Sequence, residues 1–195
     1  MALNGPYTMD DLLRMTGHKP KRKQARPAQQ SKIENRKSKM RLLGIDPGTR
    51  RVGWGVVERA QDGALKLLNC GCIAPASKLG LKERLRDIFA ELEQVLLRTR
   101  PHVAALEETF AGVNMKSAIA MGEGRGIALL CLARAGVEVL ELSPRSIKQA
   151  VTGSGAAGKA RVAAMVAAQL SLKEAPKPED ITDALAAAIA LARRA

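Results

Sequence analysis

The chain has 195 residues, 46% of them apolar, and carries 32 Lys/Arg against 19 Asp/Glu for a formal net charge of +13. Length and apolar share suit one buried core plus an extension, not a chain that stays unfolded throughout. No apolar run reaches membrane-spanning length without a charge, no secretory h-region opens the sequence, and Cys70, Cys72 and Cys131 form neither a disulfide framework nor a zinc set. The expectation is a cytoplasmic protein with reduced thiols and no membrane partner.

In chain order, residues 1–39 come first. They are polar, basic and Pro-containing, with a run Lys19-Pro-Lys-Arg-Lys23. Such a segment cannot build a core and reads as a disordered extension. It is either a DNA-binding arm or a stretch upstream of a true start at Met40, and the sequence leaves both open. Residues 1–40 hold ten Lys/Arg against three acids, and residues 41–195 hold 22 against 16. The domain expected over 40–195 is therefore basic in its own right, and phosphate backbone is the natural partner.

Arg41–Asp46 is a short apolar run stopped by Pro47-Gly48, a buried strand followed by a turn. Arg51–Glu58 and Ala64–Ile73 read as two further strands. Asp62-Gly63 between them is a hairpin turn signal. Leu81, Leu85, Ile88, Leu92, Val95 and Leu96 share one face of a helix over Leu79–Arg98. Pro101 follows it, and His102–Leu106 reads as a fully buried strand. A helix rich in Gly and Ala spans 116–135, and its small residues allow close backbone approach. Val137–Leu142 is a fifth strand. Ser143-Pro144 opens a helix, since Ser caps and Pro tolerates the first turn. A Gly/Ala-rich loop covers Thr152–Gly158, a helix 159–170, and a last helix runs from about Glu179 to Arg193. The order βββαβαβααα gives an α/β fold: a mixed five-stranded sheet with helices on both faces.

Four carboxylates fall at the ends of these elements. Asp46 ends the first strand and Glu107 the fourth, and neighbouring strands would set them side by side. Asp180 and Asp183, three apart on the last helix, share a face. Hard oxygen ligands of this kind suit Mg²⁺ or Mn²⁺. Two such ions about 4 Å apart activate a water and stabilise the leaving oxygen of a phosphodiester. Taken singly, each acid has a plainer reading: Asp46 as a turn residue, Glu107 as a solvated strand end, Asp180 as a helix cap with Asp183 favouring the helix dipole. The coincidence of all four, together with the family resemblance of the segments around them, favours the metal site.

The run Arg41-Leu-Leu-Gly-Ile-Asp-Pro-Gly-Thr-Arg-Arg-Val-Gly-Trp-Gly-Val-Val57 resembles the opening of the RuvC family of crossover junction endodeoxyribonucleases. YqgF-type proteins open almost identically, and actin-like sugar kinases share an Asp-x-Gly-Thr loop. The later segments separate them. Ala105-Leu-Glu-Glu-Thr-Phe110 resembles the family's second acidic strand and Met121-Gly-Glu-Gly-Arg-Gly126 its Gly-rich helix. Ser143-Pro-Arg-Ser-Ile-Lys-Gln-Ala-Val-Thr-Gly-Ser-Gly-Ala-Ala-Gly-Lys159 and Asp180-Ile-Thr-Asp-Ala-Leu185 are similar to its third block and terminal helix. The resemblance covers essentially 41–195.

It implies a ribonuclease H-like fold and a homodimer acting in recombination and DNA repair in a bacterial cytoplasm. It implies Mg²⁺-dependent nicking of two like-polarity strands of a four-way junction, and work alongside the RuvA–RuvB branch-migration complex. Asp46, Glu107, Asp180 and Asp183 match the catalytic, metal-binding acids. Lys148 and Lys159 match basic positions near the scissile phosphate, and Phe110 an aromatic that stacks on junction bases. Arg125 either binds DNA phosphate or ties the dimer helix. The Gly/Ala-rich helix is expected to face the partner protomer. The competing readings are a YqgF-like nuclease acting on RNA and a catalytically silent junction binder.

Overall fold

The computed structural model describes residues 39–108 and 115–194, the side chains of residues 115–117 excepted. The expectations for residues 1–38 and for Phe110 lie outside them. Five strands, β1 (Met40–Asp46), β2 (Val52–Arg59), β3 (Leu65–Ile73), β4 (Val103–Glu107) and β5 (Glu138–Leu142), form one sheet in the order β3-β2-β1-β4-β5. β1, β2 and β3 pair antiparallel; β4 joins β1, and β5 joins β4, in parallel. The turn between β2 and β3 works as its sequence suggests. Gly63 takes φ 84°, and the Asp62 carboxylate accepts the backbone N–H of Ala64 at 3.0 Å.

The helices are α1 (Leu81–Thr99), α2 (Met115–Ala135), α3 (Pro144–Thr152), α4 (Lys159–Gln169) and α5 (Glu179–Ala192). They cover both faces of the sheet, as the element order predicts. Strand alternation decides which residues meet which layer. Leu43, Ile45, Ala104 and Leu106 turn toward α1 and α2, where Ile88, Leu92, Ala128 and Leu132 complete one core. Leu42, Val57 and Ala105 turn the other way, against Ile147 of α3, Val166 of α4 and Leu185 and Ile189 of α5. α3 begins as predicted, with Pro144 in its first turn and Ser143 Oγ accepting the Ser146 N–H at 3.2 Å. Such a cap contributes about 1 kcal/mol.

α5 is buried almost all round: every residue from Ala184 to Ala192 lies in the core. An Ala-rich helix apolar on every side is an interior helix, wedged here between the sheet and α3 and α4. Glycines let it sit that low. A Cβ on Gly44 would collide with the Ala184 carbonyl, one on Gly53 with the Asp180 carbonyl, and one on Gly55 with the Leu185 side chain. Gly44 and Gly55 are direct cross-strand partners, and Gly53 stands opposite Asp46. The three make a bare strip of backbone on which α5 rests, and that strip sets the height of its acidic first turn.

Candidate active site

Asp46 and Glu107 are brought together by register. Ile45 pairs with Leu106 in the parallel β1–β4 ladder, so the next residue of each strand is an acid. Both acids are on the parity of Leu42, Gly44 and Ala105, the face that α5 covers. The first turns of α5 then carry Asp180 and Asp183 over the strand ends. Pro178 occupies the cap position and offers no side-chain cap, so Asp180 belongs to the first turn itself. The helix dipole favours a negative charge there.

The four acids bear on one another electrostatically. Burial, then the Asp183, Glu107 and Asp180 carboxylates, push the Asp46 carboxyl up from 3.8 to about 7, against a smaller opposing pull from Lys159. Glu107 is raised by burial and by Asp183, while Lys148 and Lys159 pull it back. Asp183 is raised chiefly by burial, with Lys159 opposing. Acids that burden one another in this way are short of positive charge. An all-oxygen set with such a shortage fits a divalent cation. Among the described residues, no three His, Cys, Asp or Glu side chains already converge as a finished cage, so ligation requires side-chain adjustment.

The expected lysines are at this site. A cavity of about 180 Å³ is lined by Glu107, Lys148, Lys159 and Asp183 over an apolar floor that includes Ile147 and Val162. Lys159 Nζ, at the start of α4, lies 3.0 Å from Glu179 and 3.9 Å from Asp183. The Glu179 hydrogen bond, then Asp183, raises its pKa, so it stays an ammonium. His102 is at the far end of β4, where its Nδ1 accepts the Arg41 N–H at 3.0 Å. The site holds no histidine base among the described residues.

Arg125, expected at DNA phosphate or tying the dimer helix, makes its side-chain contacts within the chain. Its side chain is 13% exposed. Nη1 donates to the backbone carbonyl of Glu107 at 2.8 Å, and Nη2 pairs with Glu141. The guanidinium is spent inside the protein, beneath the end of β4. Sequence reasoning also missed Arg84, whose Nε donates to the Thr49 carbonyl at 3.0 Å and whose Nη1 donates to the Leu79 carbonyl. It fastens the loop after Asp46 to the start of α1. Arg51, 3.8 Å from the Asp180 carboxylate and mostly exposed, is a further cation at the rim. Neither arginine carries a local spacing signal, since its partner is a backbone carbonyl or lies far along the chain.

A family model described as "Crossover junction endodeoxyribonuclease RuvC" matches residues 42–191. A curated relative of that name from Chlorobaculum parvum is 47% identical over 75% of this chain and 78% of its own. One from Roseiflexus sp. is 44% identical over 76% and 88%. The structure of Thermus thermophilus RuvC in complex with Holliday junction substrate aligns with a TM-score of 0.73 at 38% identity, over 77% of this chain and 92% of that one. The yeast mitochondrial Holliday junction resolvase Ydc2, at 16% identity and a TM-score of 0.58, shares the fold. The expected ribonuclease H-like architecture is the one observed.

Proposed function

The chain belongs to the RuvC family of crossover junction endodeoxyribonucleases, and from that premise we propose how its site works. It is an endonuclease that resolves Holliday junctions. The family implies a divalent metal cofactor. We assign Mg²⁺ to that role, with Mn²⁺ as a substitute and two ions per site, and Asp46, Glu107, Asp180 and Asp183 as the residues that would hold them. When bound, such ions supply an activated water and charge stabilisation at the leaving oxygen.

The observation that carries this reading is that strand register and the start of α5 bring four acids from three elements near one another, with the Asp46 carboxyl pushed up to about 7 by burial and by the other three. A DNA-binding surface with no catalytic task would gain affinity by losing them. Lys148 and Lys159 share a cavity with Glu107 and Asp183, and their ammonium groups would engage the oxygens of the phosphate being cut. Phe110, which follows Glu107 closely in sequence, is proposed to stack on unpaired junction bases.

Resolution needs two nicks, in strands of like polarity. A two-fold dimer holding two sites at fixed spacing matches a pseudo-symmetric junction. The outer face of α2 suits the interface: Ile119 is 56% exposed and Leu130 50%, and between them Gly122 and Gly126 face open space. A cytoplasmic location, a role in repair and cooperation with RuvA–RuvB are proposed on family membership alone. The RNA-directed and silent-binder alternatives have no observation in their favour.

Asp46→Asn tests the assignment. The substitution removes one negative charge close to phosphate and leaves the strand intact. Cleavage of a four-way junction should be abolished, while binding in a gel-shift assay stays equal or tightens. Retained cleavage would remove Asp46 from the site.

A further inference from the structure

Arg125 is a long cation with a side chain only 13% exposed, and its partners are not carboxylates of the catalytic set. Burying a guanidinium is costly unless its donors are satisfied. Here one donor goes to the carbonyl of Glu107, the residue at which β4 stops, and another to Glu141 on the neighbouring strand. Glu141 is the ladder partner of Leu106. The guanidinium therefore staples the ends of β4 and β5 at the residue that presents the Glu107 carboxylate. Its action is mechanical. The charges that bear on the Glu107 carboxyl are Asp183, Lys148 and Lys159, and Arg125 is not among them.

The residue before it does a matching job. Gly124 is buried, and a Cβ there would stand 2.7 Å from the carbonyl carbon and oxygen of Gly48. Gly48 lies two residues after Asp46. Within one turn, α2 thus touches the loop that follows one strand-end acid and the carbonyl of the other.

We propose that Arg125 is a positioning residue for Glu107 and that Gly124–Arg125 makes α2 the backing plate against which both strand-end carboxylates are set for the cation. This rests on the assignment of those acids as metal ligands. Backing residues behind metal ligands typically affect affinity by about 10–100-fold when removed.

The test uses the full-length protein and three variants. Arg125→Gln should weaken Ca²⁺ binding, read by calorimetry, by about tenfold or more. It should raise the Mg²⁺ midpoint for cleavage and lower kcat, with KM for the junction unchanged. Junction affinity in EDTA should equal that of wild type. Arg125→Lys, which retains a donor for the Glu107 carbonyl, should recover part of the loss. Gly124→Ala discriminates further. The added Cβ would press on the Gly48 carbonyl, so a merely structural role predicts a lower melting temperature with normal cation binding in the folded protein. The positioning role predicts weakened cation binding in a protein that remains folded. Wild-type Ca²⁺ affinity in folded Arg125→Gln or in Gly124→Ala would overturn the proposal. So would reduced junction affinity in EDTA with a shallower salt slope, which would return Arg125 to the DNA. If the wild type bound cations through Arg125-dependent geometry yet cut no junction, the positioning role would stand and the proposed function would fall.

Discussion

At the scale of single residues, Asp46 concentrates the argument. Its carboxyl is half-buried beside three other acids and is pushed up to about 7. An unfolded chain would have it near 3.8. A raised folded-state value means that the native protein holds the proton more tightly than the unfolded one. The stabilisation from that proton is complete below the unfolded value and is lost as pH rises through about 7. Glu107 and Asp183 are displaced in the same direction. Metal-free protein should therefore lose stability between about pH 4 and pH 7, by an amount on the order of a few kcal/mol. Mg²⁺ should flatten the dependence, because the bound ion replaces the missing positive charge. Denaturation midpoints measured across that range with EDTA and with Mg²⁺ check this; a metal-free midpoint that rises with pH would contradict it. The four acids were legible in the sequence because each lies at or near an element end, and Lys148 and Lys159 through the family resemblance alone. Arg125 was not. Its residue type and motif neighbours fit phosphate binding, and only the packing of α2 under β4 reveals a carbonyl as its partner.

At the scale of elements, the site depends on how low α5 sits. Periodicity and breakers gave the strands, the helices and the Ser143-Pro144 start of α3, since these are local signals. The burial of α5 is not a local signal. Gly44, Gly53 and Gly55 read as weak spots in two strands until the helix is laid over them. Gly53→Ala tests the strip. Alanine should otherwise suit a strand better than glycine by about 0.5–1 kcal/mol. Here its Cβ meets the Asp180 carbonyl, so the variant should lose about 1–3 kcal/mol and most of its cleavage activity, as Asp180 is lifted away from Asp46. Thermal melts and junction cleavage read the two effects. An equal or higher melting temperature with full activity would show that α5 does not rest on that strip.

At the scale of the whole molecule, a basic chain carries an acidic centre. The net charge of +13 draws in a polyanion, and the cluster of acids requires a cation before that polyanion can approach closely. The outer face of α2 exposes apolar side chains. Ile119 and Leu130 are exposed on this helix, where a second protomer would cover them under the proposed dimer. Ile119→Glu with Leu130→Glu should give a monomer by sedimentation, and single unpaired nicks in place of paired ones. A variant that remains dimeric would move the interface elsewhere. The sheet order and the two helical layers followed from the order of elements. The proposed use of this helix for assembly was expected from its Gly and Ala content, while the exposure of Ile119 and Leu130 is seen only in the structure.

The most direct measurement is cleavage of a mobile four-way DNA junction, compared with linear duplex and structured RNA, in Mg²⁺, Mn²⁺ or EDTA. The account predicts paired, symmetric nicks in the junction alone, lost in EDTA. Metal-independent cutting, or cutting of RNA in preference to the junction, would contradict it.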